Sequence, residues 1–251
     1  MNTRVMVVTG AANGIGADCM RLWRERGGVA AGLDLDGTDD GVIACDVTSE
    51  DAVIKALDEI VGAHGRIDAI VHCAGVLGPQ KPLVEVTVDD WDRVMAVHAG
   101  AGFLLAKHGI PLLADNAGAL LYIGSIVARD GSPSHPAYAA AKAALTNLAK
   151  SLASPAGRHR VRVNVISPGS VVGTRFLAEE RPDGLSIVEL AGLAASIPLG
   201  RAGTVTDIAE TACFLASSAA RHITGADIVV DGGEGLPNRG TGHIVRPRRN
   251  T

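Results

Sequence analysis

Residues 9–16 read TGAANGIG, and they lie between a short apolar run and a segment of helical periodicity. Glycine permits a tight turn and a close approach of the backbone to a ligand. A helix that begins here offers unpaired N–H groups and a partial positive charge, which suit a pyrophosphate. The spacing is G-x-x-x-G-x-G, and its position after a first strand predicts a phosphate-binding turn. The candidate cofactor-binding residues in this turn are Gly10, Asn13, Gly14, Ile15 and Gly16.

Short apolar runs alternate with longer helical segments along the rest of the chain. The runs are apolar on both faces, as buried parallel strands are. We therefore predict an α/β fold with a parallel sheet covered by helices on both faces. The predicted strands are residues 4–8, 29–33, 42–44, 67–72, 120–124, 161–166 and 228–230. The predicted helices are residues 15–26, 50–63, 88–114, 136–156 and 205–217, with Thr204 and Asp207 capping the last one.

The 251 residues suit one domain, because no linker or composition shift divides them. We predict a single domain over residues 1–235, with a flap at about residues 170–200 that covers the substrate. Residues 236–251 have no periodicity and contain the basic run Arg246-Pro247-Arg248-Arg249, so they are predicted to form a tail.

The composition argues against several classes of partner. Aromatic residues make up 3% of the chain, too few for base-stacking platforms, and a net charge of −4 does not favour a nucleic acid. No apolar stretch predicts a membrane span. The four cysteines are far apart in sequence, which predicts free thiols in a reducing, cytoplasmic compartment and no metal site.

Polar and small residues follow the next three predicted strands. Asp34 ends the second strand, where a carboxylate can accept hydrogen bonds from ribose hydroxyls and repel a 2′-phosphate. No cation is found beside it in sequence, so the expected cofactor is NAD and not NADP. The other candidates for the cofactor cleft follow the third and fourth strands: Asp46, Val47, Cys73, Ala74 and Gly75.

Tyr138 and Lys142 are four residues apart in a predicted helix and therefore share one face. An ammonium group beside a phenol lowers the phenol pKa and makes it a better acid–base group near neutral pH. Ser125 closes the fifth strand and can bind the same substrate oxygen. These three residues predict acid–base chemistry on an oxygen-bearing substrate.

Taken together, these motifs resemble the short-chain dehydrogenase/reductase family from about residue 4 to residue 235. The resemblance implies a Rossmann-type, doubly wound sheet of seven parallel strands in the order 3-2-1-4-5-6-7. It also implies interconversion of a secondary alcohol and its ketone with NAD or NADP. The residues that carry the resemblance are residues 9–16, Asp46, residues 72–75, Ser125, Tyr138, Lys142, Asn164, Pro168, Gly169 and residues 230–233.

The resemblance implies a role for each matching residue. Tyr138 is the general acid/base, Lys142 lowers its pKa and binds the nicotinamide ribose, and Ser125 holds the substrate oxygen. Pro168, Gly169, Val171 and Thr174 would orient the carboxamide of the cofactor. The family also implies a homotetramer or homodimer, with the helices at 88–114 and 136–156 forming one interface.

Three positions depart from the family pattern. The usual Asn-Asn-Ala-Gly is replaced by His72-Cys73-Ala74-Gly75. His98 occupies the position of an asparagine that supports a proton relay, so it is a candidate catalytic residue that either hydrogen-bonds in its place or titrates near neutral pH. Thr174 lies one residue further from Gly169 than is usual.

The flap is mostly apolar, which suggests a small neutral or weakly polar alcohol, cyclic alcohols included. Weak local similarity to dehydrogenases that form 2,3-dihydroxybenzoate supports a cyclic substrate. A 3-oxoacyl carrier-protein reductase and an NAD-binding protein without turnover are the alternatives. The candidate residues of the pocket wall are Leu77, Val127, His135 and Phe176.

Overall fold

The structure is a computed structural model that describes residues 3–37, 40–175 and 185–236. Phe176 and the basic tail beyond Leu236 lie outside the described residues. The described chain forms a seven-stranded parallel sheet in the order β3-β2-β1-β4-β5-β6-β9. Its strands are β1 Val5–Thr9, β2 Val29–Asp34, β3 Val42–Ala44, β4 Ala69–His72, β5 Ala119–Ile123, β6 Arg162–Pro168 and β9 Asp227–Val230. Since β9 is the seventh strand of this sheet along the chain, the predicted order 3-2-1-4-5-6-7 is confirmed.

Helices cover both faces of this sheet. They are α1 Gly14–Glu25, α2 Glu50–His64, α3 Val88–Met95, α4 Ala101–Ala114, α5 Val127–Asp130, α6 Pro136–Gly157, α7 Ile187–Ser196 and α8 Val205–Ala216. One hydrophobic core joins the sheet to α2, α4 and α6, and a second joins it to α1 and α8. The predicted doubly wound α/β architecture is confirmed.

Strand β1 shows why its residues must be apolar on both faces. Val5 and Val7 pack in the first core, whereas Met6 and Val8 pack in the second. Successive side chains of a strand point to opposite faces, so a strand buried on both sides needs a continuous apolar run.

The helix predicted at residues 88–114 is interrupted by one wide turn. Helix α3 ends at Met95, a π-helical turn spans Ala96–Gly100, and α4 begins at Ala101. Thr87 caps α3 through a reciprocal capping box with Asp90. A π turn inserts one extra residue into an α-helix, and such turns are frequent at functional sites. His98 lies at the centre of this turn.

The predicted flap contains one short strand and a helix, and a second short strand follows it. Strand β7, Val171–Val172, pairs with β8, Gly203–Thr204, and α7 lies between them in sequence. The predicted cap of α8 is confirmed, because the Thr204 side chain accepts from the backbone of Asp207. In the described part of the chain, no helix combines the length and apolarity needed to cross a membrane.

Candidate active site

The glycine turn joins the carboxyl ends of β1 and β4. Gly10 has a φ of +66°, and a Cβ there would lie 2.8 Å from backbone atoms of Ala74. A Cβ on Gly16 would lie 2.1 Å from the carbonyl oxygen of Gly10. The turn therefore requires glycine at both positions, and it brings two of the predicted cofactor-binding segments together.

Helix α1 has free N–H groups at its start. The Asn13 side chain makes no capping hydrogen bond, whereas Ser49 and Thr204 cap the first turns of α2 and α8. Unpaired N–H groups at a helix start favour an anionic ligand. This part of the chain therefore fits the pyrophosphate predicted from the sequence.

Asp34 lies beside the glycine turn at the end of β2. One carboxylate oxygen accepts from the Ala12 N–H at 2.9 Å and the other from the Leu35 N–H at 2.8 Å. Each oxygen keeps acceptor capacity for a further donor. The carboxylate is thus placed next to the turn, as ribose binding requires.

The other candidate cofactor-binding residues are held in place by hydrogen bonds or by burial. Asp46 accepts from the Thr48 N–H and hydroxyl at 2.9 and 2.7 Å, which shapes the loop before α2. Val47 is buried. The Cys73 and Ala74 N–H groups both donate to the Thr9 hydroxyl.

The structure brings Ser125, Tyr138 and Lys142 together at the carboxyl end of β5. Tyr138 and Lys142 lie on the first turns of α6, and Ser125 hydrogen-bonds to the phenol. Lys142 is 3% exposed, and its Nζ donates to the Ile123 carbonyl at 2.6 Å. The same Nζ lies 5.4 Å from the centre of the Tyr138 ring. The predicted triad is therefore spatially assembled.

The expected lowering of the Tyr138 pKa is not found. Burial raises the pKa of Tyr138 to about 12, and the Ser125 hydrogen bond opposes that rise. Burial lowers the pKa of Lys142 to about 8. Loss of solvation disfavours the charged form of each group, and the Lys142 ammonium is directed at a carbonyl. At neutral pH the phenol therefore carries its proton.

Two histidines replace the usual family residues and are linked to each other. The His72 ring donates from Nε2 to the His98 carbonyl at 3.1 Å, and the Thr9 hydroxyl lies 2.8 Å from its Nδ1. The π turn exposes that carbonyl to the His72 ring. The two histidines that depart from the family pattern are thus joined by a hydrogen bond.

The His98 side chain hydrogen-bonds to the backbone and packs on the Tyr138 ring. Its Nε2 donates to the Val76 carbonyl at 2.9 Å, and its ring meets the Tyr138 ring edge-on at 5.2 Å between centroids. Burial and the Lys142 charge lower the pKa of His98 well below its usual value. This lowered pKa and the bond to Val76 favour the alternative in which His98 hydrogen-bonds over the one in which it titrates near neutral pH.

Replacing His98 by asparagine is expected to leave the apparent pKa values of the pH–rate profile unchanged. The reason is that burial and the Lys142 charge disfavour the protonated form of His98. The measurement is kcat against pH for both proteins. Loss of a titration step between pH 6 and 8 in His98→Asn would contradict this assignment.

A cavity of about 250 Å³ lies against Ser125 and Tyr138. Leu77, Val127 and His135 line it as predicted, but so do polar groups that sequence reasoning missed. The additional polar residues of its wall are Ser132, Ser170 and Glu234. Ser170 and Glu234 come from the loops after β6 and β9, and Ser132 comes from the segment between α5 and α6.

Glu234 reaches the cavity through a turn that follows β9. The Asp231 carboxylate accepts from the N–H groups of Gly233 and Gly235, each at 2.8 Å. Glu234 then accepts from the N–H and the hydroxyl of Ser170, both at 2.7 Å. The only sequence signal for this residue was its position directly after residues 230–233.

The predicted carboxamide-binding segment lies across the mouth of the cleft. Gly169 lines the cavity beside Glu234. Thr174 donates to the Val171 carbonyl at 3.3 Å, and a Cβ on Gly14 would lie 3.7 Å from the Thr174 Cα. The segment therefore closes over the glycine turn.

Comparison with known proteins identifies the family. Residues 10–234 match the family model described as Enoyl-(Acyl carrier protein) reductase. The chain is 36% identical to the cis-4-hydroxycyclohexanecarboxylate dehydrogenase of Sinomonas cyclohexanicum over 92% of this chain and 96% of that one. It is also 36% identical to the D-threitol dehydrogenase of Mycolicibacterium smegmatis, over 93% of each chain.

A solved structure agrees with these sequence matches. The aldohexose dehydrogenase of Thermoplasma acidophilum has a TM-score of 0.87 and 25% identity, and the match covers 98% of each chain. Together with the seven-stranded sheet, these relatives show that the chain belongs to the short-chain dehydrogenase/reductase family and is an oxidoreductase acting on CH–OH groups.

Proposed function

We propose that this protein interconverts a small, neutral, polyhydroxylated or cyclic secondary alcohol and its ketone with NAD. The observation that carries the proposal is the Tyr138 phenol, hydrogen-bonded to Ser125 and adjacent to Lys142, on the wall of a 250 Å³ cavity. Such a cavity suits a small substrate.

The residues around the glycine turn fit a dinucleotide. The uncapped start of α1 would take the pyrophosphate, and the Asp34 carboxylate would take the ribose hydroxyls. Asp34 also supports NAD over NADP, since its charge opposes a 2′-phosphate. NAD would accept the hydrogen of the carbinol carbon as hydride, and this chemistry is the cofactor's own.

Ser125 and Tyr138 bind the substrate oxygen and exchange its proton. Ser125 donates to the substrate oxygen and holds it near Tyr138. Because the phenol is protonated at neutral pH, it is ready to donate a proton to a carbonyl oxygen in reduction. Oxidation needs the phenolate, so we expect alcohol oxidation to speed up as the pH rises towards the Tyr138 pKa of about 12.

The cavity wall supports a hydroxylated substrate over an acidic one. Glu234 and Ser132 line the same cavity as Ser125 and carry hydrogen-bonding groups. A carboxylate accepts hydrogen bonds from substrate hydroxyls and repels a second carboxylate. Of the substrates in the relatives' names, D-threitol fits this wall better than a hydroxycyclohexanecarboxylate.

Glu234→Gln is expected to lower kcat/KM for D-threitol about tenfold, because charged hydrogen bonds are stronger than neutral ones. The same change should raise kcat/KM for cis-4-hydroxycyclohexanecarboxylate, since it removes a like charge. Both are measured by NADH absorbance, with Glu85→Gln on the surface as the matched control. Parallel changes for both substrates would contradict the role given to Glu234.

We further propose a homotetramer in a reducing, cytoplasmic setting. Large apolar side chains are exposed on two parts of the surface: Trp91 and Phe103 on α3 and α4, and Phe214 and Val229 on α8 and β9. None of the four cysteines is in a disulfide. Light scattering on the eluted protein should give the mass of four chains, and a monomer mass would contradict the proposal.

A further inference from the structure

A second cavity lies at the edge of the sheet opposite the candidate active site. It has a volume of about 360 Å³ and lies at the amino ends of β5, β6 and β9. Three arginines line it: Arg160, Arg162 and Arg221. Because the whole chain has a net charge of −4, this concentration of positive charge stands out against the rest of the protein.

Arg162 is the buried member of this set. It is 9% exposed, and its Nη2 donates to the Ser217 carbonyl at 3.3 Å. Among the described residues, its Nη1 is buried and has no hydrogen-bond partner. Leaving a buried charged donor unpaired is costly, so native proteins nearly always satisfy such a group.

The surrounding charges do not neutralise Arg162. Within residues 3–37, 40–175 and 185–236, neither Arg160 nor Arg221 forms an ion pair, and both side chains are exposed. The buried carboxylate at this edge, Asp68, is already held by Arg66 and Arg4. The cavity therefore presents positive charge with no acid assigned to it.

The backbone that forms the cavity is held in an unusual conformation. Ala117 and Arg160 have φ values of +50° and +62°, and both residues line the cavity. In the described part of the chain, they are the only residues other than glycine with positive φ. Such conformations persist where the surroundings fix them, so the wall that carries Arg160 is a defined surface.

We propose that this cavity is a binding site for a phosphate-class oxyanion. Guanidinium groups bind phosphate through paired, charge-assisted hydrogen bonds. A phosphate carries more charge and more acceptor oxygens than a carboxylate, so it can satisfy Arg162 and one of the exposed arginines together. The volume leaves room for an organic group attached to the phosphate.

The test measures the binding of inorganic phosphate to the full chain. Calorimetry gives the affinity, and thermal melting at constant ionic strength gives the shift in melting temperature. Saturating NAD is present to occupy the glycine turn. Arg160→Gln/Arg221→Gln removes the exposed arginines and keeps the buried Arg162 with its bond to the Ser217 carbonyl. Lys55→Gln/Arg93→Gln removes the same charge from exposed positions on α2 and α3 and is the matched control.

The wild type and the control should bind phosphate and melt at a higher temperature in its presence. The Arg160→Gln/Arg221→Gln protein should bind at least about tenfold more weakly, as expected when charged hydrogen bonds are lost. Acetate at the same ionic strength should give a smaller shift. Equal phosphate affinity in both double variants, or equal effects of phosphate and acetate, would overturn the proposal. Both double variants keep the glycine turn, so the comparison does not depend on the proposed enzymatic activity.

Discussion

Tyr138→Phe is expected to lower kcat by about 10³-fold, within the range that general acid–base catalysis supplies. The change removes only the hydroxyl that exchanges a proton with the substrate oxygen. The ring remains, so its edge-on contact with His98 and the packing of α6 are kept. Steady-state kinetics followed at the NADH absorbance gives kcat, and calorimetry shows that NAD still binds.

The second tyrosine of the chain is a matched control. Tyr122 is buried in β5, and its hydroxyl donates to the Gly102 carbonyl at 2.9 Å. Tyr122→Phe should cost about 1 kcal/mol of stability through the lost hydrogen bond and leave kcat within about threefold. Equal kcat values in Tyr138→Phe and wild type would remove Tyr138 from the chemistry.

Asp34→Asn is expected to shift the ratio of kcat/KM for NAD over NADP by about 100-fold towards NADP. The amide oxygen still accepts from the Ala12 N–H, so the glycine turn keeps its contact with β2. The negative charge is lost, which weakens the bonds to the ribose hydroxyls and ends the repulsion of a 2′-phosphate. The measurement is the kcat/KM of each cofactor at a fixed alcohol concentration.

Asp36→Asn serves as the control for this change. Asp36 is exposed two residues further along the same loop, so its replacement makes the same change in net charge without touching the turn. It should leave the cofactor ratio unaltered. The same shift in both variants would mean that general electrostatics, and not the position of Asp34, sets the preference.

Local sequence patterns were sufficient to predict the parts of the molecule that depend on neighbouring residues. Apolar runs located the strands, because a parallel strand buried on both faces leaves no polar position, as β1 shows. The i, i+4 spacing placed Tyr138 and Lys142 on one helical face. The glycine turn was predictable because the close approach of Gly10 to Ala74 permits no side chain.

Features that depend on distant residues were not predictable. One extra residue in the π turn at His98 hardly alters the helical pattern of residues 88–114, so the turn was missed. The raised pKa of Tyr138 follows from burial, which depends on how the whole chain packs around the ring. Glu234 enters the cavity only because Asp231 shapes the turn after β9. This turn is far from Ser125 in sequence, although only β6 lies between β5 and β9 in the sheet.

The amount of ketone formed from a neutral secondary alcohol in the presence of NAD measures the proposed reaction directly. With D-threitol or a cyclic alcohol of similar size, we expect ketone and NADH to appear in equal amounts. We also expect that formation to fall about 10³-fold in Tyr138→Phe. If NAD binds but no alcohol tested is converted to its ketone and no ketone is reduced to its alcohol, the proposed reaction is contradicted.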